Sequence, residues 1–366
     1  MNLFPESETP PNAPRMLVSR EKDRFVSING PKVRHGRFLT ERDVWFRPHL
    51  QEQLRAWAPS LVMDPFVGEG HLLDLAKSLL GCDVIGYDIH PVGNWIFNDS
   101  LLSIPTAPEG SVVVTNPPYL ANYSAKRKGV LDTTGRYFST TRWDDLYQLA
   151  IDCCQASCPR VMGIIPETFL NSPYPKSKLC SFTVLLENPF EDTETPVGVA
   201  CFDGIDKPLD QIALYVGDER VANLGMIEAQ RLRPANTHAI TFNHVEGQIA
   251  LRAVDLQDPG KPIRFFCRGE LNYDPAKMKV SSRLVTYIQI PSLNAKDLPR
   301  LVSLLNGHLA DFRAGCHDLL LSPFKGNTKT GRRRRRLDYA TARSLIERSL
   351  DELTPQQPSL FDQAVV

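Results

Sequence analysis

The residues of this chain best suited to chemistry are Asn116-Pro117-Pro118-Tyr119, which follow an apolar, strand-like run, Ser111 to Thr115 (SVVVT). Two successive prolines fix the backbone and remove two N–H donors, so nearby carbonyls face outward as acceptors. A strand that ends this way presents an amide oxygen, a carbonyl and an aromatic ring together at one edge of a sheet. That set suits an exocyclic amine on an aromatic base, whose nitrogen lone pair is delocalised into the ring. Two acceptors bonded to its hydrogens raise the electron density on nitrogen and orient it toward an electrophilic methyl group. Stacking on Tyr119 would hold the base, contributing on the order of 1–3 kcal/mol.

A second constellation lies upstream. Asp64-Pro65-Phe66-Val67-Gly68-Glu69-Gly70 sits between a strand-like run, Leu61-Val62-Met63, and a helical stretch, Leu72 to Leu80. Glycines there let the backbone turn tightly and approach a ligand at the carboxyl edge of an open sheet. The next strand, Val84-Ile85-Gly86-Tyr87, ends in Asp88, 18 residues beyond Gly70 and placed to hold a ribose diol. Asp99, just before Leu101-Leu102, could face an adenine. The turn is not followed by Gly-Lys-Ser/Thr, which favours a nucleoside-type ligand over a nucleotide phosphate.

These residues need a scaffold, and the patterning supplies one. Short β-rich runs alternate with roughly ten-residue helical stretches up to about residue 205, including a helix over 143–157 and strands over 161–165, 182–186 and 197–202. Such alternation predicts a doubly wound, mostly parallel α/β sheet. After residue 206 the rhythm changes to strand-like pieces mixed with loops and a helix near 298–309, which predicts a separate α+β module over 206–350. Residues 1–30, rich in proline and without apolar periodicity, read as a flexible leader, and 351–366 as a flexible tail. Neither a signal peptide nor a transmembrane stretch is legible, so a cytoplasmic protein with no membrane partner is expected. The eight cysteines show no Cys-x-x-Cys spacing. They read as packed apolar residues in a reducing compartment, and no metal site is expected. With 42 basic and 42 acidic side chains the chain is no polycation, so any nucleic-acid contact must come from local clusters.

DPFVGEG, YDIHP, NDSLL and NPPY, in that order, resemble the motifs of N6-adenine and N4-cytosine DNA methyltransferases. Only 48 positions separate Gly68 from Asn116, too few for a recognition domain between them. With a large module following the catalytic motif, the order resembles the gamma group of amino-methyltransferases. The resemblance covers roughly residues 33–203. It implies a class I S-adenosylmethionine-dependent methyltransferase domain over 31–205 and a target-recognition module over 206–350. Asn116, Pro117, Pro118 and Tyr119 are then the catalytic residues. Thr40 (in Gly36 to Thr40, GRFLT), Asp64, Pro65, Phe66, Gly68, Gly70, Asp88, Ile89, Asp99 and Asn116 are the candidate cofactor-binding residues. Pro166-Glu167-Thr168-Phe169-Leu170 and Pro189-Phe190 resemble later motifs of the group. Phe190 is the candidate second face of a base sandwich, with packing in the core as the alternative.

The implied activity is methylation of adenine N6 in a base flipped from double-stranded DNA, either in a restriction–modification system beside a cognate restriction endonuclease or in an orphan or phage enzyme. N4-cytosine methylation, and methylation of RNA or of a protein glutamine, are the alternatives. A bacterial or phage-encoded, nucleoid-associated protein would follow. Lys126, Arg127 and Lys128 are placed to grip phosphates beside the flipped nucleotide. Lys325 and Lys329, in a Gly/Thr/Lys loop, lead into Arg332, Arg333, Arg334, Arg335 and Arg336, the most basic patch of the chain, read as phosphate-tracking or groove-inserting. In the tail, Gln357, Leu360 and Phe361 resemble the short peptide by which bacterial replication and repair proteins bind the DNA sliding clamp.

Overall fold

The computed structural model describes residues 43–190, 194–278 and 284–353, together with the backbone of two short paired strands, Met16–Val18 and Phe25–Ser27. The leader otherwise lies outside the described residues, as do Thr40 and the tail from 354 on. The fold is α/β. Its central feature is a nine-stranded, mixed but mostly parallel sheet, built from β1 (Leu61–Asp64), β2 (Asp83–Asp88), β3 (Ile96–Phe97), β4 (Ser111–Thr115), β5 (Val161–Pro166), β6 (Leu179–Val184), β7 (Val197–Phe202), β8 (Ala213–Val216) and β9 (Glu219–Asn223). The spatial order is β9-β8-β6-β7-β5-β4-β1-β2-β3. No helix among the described residues is long and apolar enough to cross a membrane.

The chain divides into two compact units. The first ends at Ile165 and also takes in Pro189–Thr193 and Ala200–Gly204; the second holds Pro166–Asn188, Glu194–Val199 and the residues from Ile205 on. Within the first unit β1 pairs in parallel with β2 on one side and β4 on the other, with Val62 opposite both Val84 and Val112. Strand order therefore reverses at the β1/β4 pair, and the carboxyl ends of both strands open on one crevice, where open α/β sheets bind ligands. All five residues of β4 are buried, as a parallel strand covered on both faces should be.

The flanking helices follow from local signals. α1 (Pro48–Trp57) starts on a proline and turns Leu50, Leu54 and Trp57, at i, i+4 and i+7, into the core. α2 (His71–Leu80) buries Leu72, Leu73 and Ala76 and stops at Gly81 in the left-handed conformation. Two short helices, α3 (Asn122–Lys128) and α4 (Leu131–Phe138), precede α5 (Leu146–Ser157). Leu120, Ala125, Tyr137, Leu146 and Leu149 pack with Leu101 into one cluster that holds these helices together.

The second unit contains a four-stranded antiparallel sheet, ordered β10 (Thr241–Phe242), β13 (Val285–Gln289), β11 (Ile249–Arg252), β12 (Arg264–Cys267), and two long helices, α7 (Leu298–Gly315) and α8 (Tyr339–Leu353); the short α6 (Leu224–Ala229) precedes them. It also corrects the reading of the arginine run. Residues 333–336 form a strand, β15 (Arg333–Arg336), paired with β14 (Ser322–Asn327), and alternate side chains point inward. Arg333 and Arg335 are buried. Arg335 donates to Glu167 Oε1, and Arg333 Nε lies 3.4 Å from Glu167 Oε2. Arg334 donates to the carbonyls of Asp255 and Lys325 and lies over the Phe324 ring. Arg332, which is exposed, pairs with Asp318 at 2.7 Å. The strand period of two, acting on five identical residues, puts guanidinium groups inside, where only a buried carboxylate can hold them. Arg333 and Arg335 are structural cations, not a phosphate-binding patch. Replacing Arg335 by Ala leaves Glu167 under-compensated in the interior and should cost about 3–5 kcal/mol. Arg332→Ala should stay within about 0.5 kcal/mol of wild type in urea unfolding; equal effects for the two variants would remove the distinction.

Candidate active site

The carboxyl ends of β1, β2 and β4 converge on one pocket in the first unit. Asp64, Phe66, Gly68, Gly70, Asp88, Ile89, Asp99 and Asn116, picked from four separate stretches of sequence, all line it. Pro65 is buried in the turn and does not line the pocket.

Each wall has an identifiable cause. Gly68 and Gly70 take φ of 56° and 97°, a conformation that costs other residues about 1–2 kcal/mol. A Cβ on Gly70 would come within 2.6 Å of the Trp95 ring, and one on Gly86 within 2.7 Å of the same ring. Trp95 is thus the lid on the glycine turn, a role that no local sequence pattern announces. Asp88 fastens the turn from the other side, its Oδ2 accepting from the Gly68 amide at 3.0 Å and its Oδ1 from the His90 amide at 2.8 Å.

Asp99 is held by the segment that follows Asn-Pro-Pro-Tyr. Its Oδ2 accepts from Arg136 Nη2 at 2.8 Å and from the Tyr137 hydroxyl at 3.0 Å. Tyr137 itself lines the pocket. Arg136 and Tyr137 escaped the sequence reading because they reach Asp99 across 37 and 38 positions, a contact that no local pattern shows.

At the reacting end, Asn116 and Pro118 line the pocket while Pro117 and Tyr119 are buried. The Tyr119 hydroxyl lies 2.5 Å from Asn116 Oδ1 and 2.7 Å from the Ile164 carbonyl, so its single proton serves one acceptor at a time. Burial, and then the nearby Asp145 carboxylate, push its pKa well above the ordinary tyrosine value and keep it a donor. Asn116 Oδ1 is thereby oriented. The Pro117 carbonyl accepts no hydrogen bond among the described residues. Phe190 is buried and meets Tyr119 edge-to-face, with centroids 6.0 Å apart. The two rings touch, so a base enters between them only if they separate.

Lys126, Arg127 and Lys128 end α3 and are exposed. Lys325 and Lys329 are exposed in the second unit. Gln357, Leu360 and Phe361 lie outside the described residues. No protein-family model matches this chain, and no curated protein matches its sequence.

Two carboxyls of the site are strongly perturbed. Asp64 is almost fully buried, and burial raises its pKa to about 7 against the opposing hydrogen bonds from Thr115 and the Phe66 amide. Asp145 is likewise raised to about 7 by burial, against backbone amides that include Leu120. Both folded-state values exceed the ordinary aspartate value of 3.8, so the folded chain binds more protons between pH 4 and 7 and loses stability as pH rises through that window. Asp64→Asn should remove roughly half of this decline between pH 5 and 8, measured as urea midpoints; an unchanged slope would show that Asp64 is not its source.

Proposed function

We propose that this chain is a class I S-adenosylmethionine-dependent amino-methyltransferase that modifies a base of double-stranded DNA. The observation that carries the reading is convergence: the glycine turn after β1, the acid ending β2, Asp99 and the Asn-Pro-Pro-Tyr turn after β4 share one pocket at the reversal of strand order. The pocket fits the cofactor by its chemistry. A positive-φ glycine turn allows close backbone approach, Asp88 suits a ribose diol, and Asp99 offers an acceptor for an adenine amino group. S-adenosylmethionine supplies, when bound, a methyl group activated by a sulfonium.

The chain's own residues do the rest. Asn116 Oδ1, aimed by the Tyr119 hydroxyl, and the Pro117 carbonyl accept the two N–H bonds of an exocyclic amine, and so direct its nitrogen lone pair out of the ring plane. Neither acceptor is an ionisable base, so they polarise the amine without taking its proton beforehand. Preorganised dipoles of this kind lose nothing to reorientation during the reaction. Adenine N6 is the target the motif resemblance favours. The second unit, with Lys325 and Lys329 exposed, is assigned to target recognition. The resemblance of the tail to a clamp-binding peptide extends the proposal to a sliding-clamp partner.

Tritiated methyl transfer to DNA, RNA and protein, with nucleoside analysis of the product, tests the reading. Label in N6-methyladenine is expected; label confined to RNA or protein would sink it. Asn116→Ala should lower transfer by about a hundredfold or more, the loss typical of a preorganised polar group, while calorimetric cofactor binding persists. Wild-type rates in that variant would take Asn116 out of the mechanism.

A further inference from the structure

Four residues beyond Tyr119 stands a side chain that the catalytic reading leaves unused. Tyr123 is 75% exposed, the most exposed large hydrophobic residue described. It belongs to α3, whose inward side is marked by the fully buried Ala125. Tyr123, Lys126 and Arg127 stand at i, i+3 and i+4 and therefore share one face of that helix. Lys126, Arg127 and Lys128 have no acidic partner among the described residues, unlike Arg332, Arg333 and Arg335 of the second unit. An aromatic ring left in water costs solubility and contributes nothing to the core, and three uncompensated cations on one short helix repel one another. A polyanion that also offers stacking surfaces relieves both.

We infer that the Tyr123–Lys126–Arg127 face of α3 is the surface that engages duplex DNA, with the Tyr123 ring taking the stacking position that the target base vacates. This rests on the reading of the pocket as a DNA amino-methyltransferase site. A base brought to Asn116 must leave its stack at a cost of a few kcal/mol, and an inserted side chain offsets part of that cost. The filler must stand close to the reacting residues. The chain from Tyr119 to Tyr123 spans at most about 14 Å even when extended. Leu120 and Ala121 within that link are pinned by the Asp145 carboxylate and by a bridge to residue 145, so the distance is fixed and not adjustable by a floppy loop. Lys126 and Arg127, one turn further along, meet the phosphates flanking the gap.

The test uses the full chain and unmethylated genomic DNA. Tyr123→Ala should reduce methyl transfer to native duplex by about tenfold to a hundredfold, the range for loss of one base–aromatic contact. Its binding to a random-sequence duplex, read by fluorescence polarisation, should stay within a few fold of wild type. Tyr123→Phe, which keeps the ring, should restore transfer. The double variant Lys126→Ala, Arg127→Ala should weaken duplex binding and lower the slope of log affinity against log salt by about two. Thermal melting checks the fold, and Tyr123→Leu carries the same comparison should the alanine variant not fold. Wild-type transfer by Tyr123→Ala, or an unchanged salt slope in the double variant, would overturn this inference and leave the methyltransferase reading standing. A wild-type protein that methylates only RNA or protein would remove that reading and this inference with it.

Discussion

One buried hydrogen bond joins the two halves of the candidate site. Asp64 Oδ1, at the end of β1, accepts from Thr115 Oγ1, at the end of β4, at 2.6 Å. Asp64 begins the glycine turn and Thr115 immediately precedes Asn116, so the bond ties the glycine-turn wall of the pocket to the Asn-Pro-Pro-Tyr wall across the reversal of strand order. The same Asp64 oxygen also receives the Phe66 amide and shapes the first step of the turn. A carboxyl placed this deep is costly to ionise, which is why its pKa is raised, and Asp88 nearby adds to the effect. The geometry that aligns the two motifs is therefore bound to a group that resists carrying charge. Asp64 thus links the alignment of the two motifs to its own protonation, and Asp145 is perturbed in the same direction.

Charge elsewhere is divided by whether it can reach solvent. Arg313 grips Asp255 with two bonds of 2.9 Å and Asp318 with two more of 2.7 and 2.9 Å; Arg333 and Arg335 share Glu167. Three buried or nearly buried guanidinium groups thus face three buried acids, and the second unit closes on a neutral network. Such pairs favour a unique arrangement more than they add stability. The short helix α3, by contrast, has no acidic partner for its cations among the described residues. A basic run is therefore a poor guide to a phosphate site until the partner of each cation is known.

That contrast also shows how far the sequence could be read. Runs such as SVVVT and VMGII fall within β4 and β5, because a strand buried on both faces must be continuously apolar. The glycine turn, Asp88, Asp99 and Asn116 meet in one pocket because each ends a parallel strand or follows one closely. What escaped notice depends on contacts between distant segments. Trp95 covers Gly70 and Gly86 only after the chain has folded back over β2. Arg136 and Tyr137 reach Asp99 across 37 and 38 positions of sequence. Five consecutive arginines look the same in a loop and in a strand, and Glu167, 168 positions from Arg335, decides between them.

The segment from Asn116 to Phe138 then has a property that neither motif has alone. It begins with Asn116 on the pocket, continues through the exposed face of α3, and ends with Arg136 and Tyr137, which hold Asp99 on another wall of the same pocket. Leu120, Ala125 and Tyr137 along it belong to one packed cluster with Leu101 and Leu146. Tyr119 and Phe190 stand edge-to-face, and Leu120, next to Tyr119, belongs to the cluster that also holds Tyr137. The Asn-Pro-Pro-Tyr turn and the Asp99 wall of the pocket are therefore supported by one packed stretch of chain, so a change in packing at either end is felt at the other.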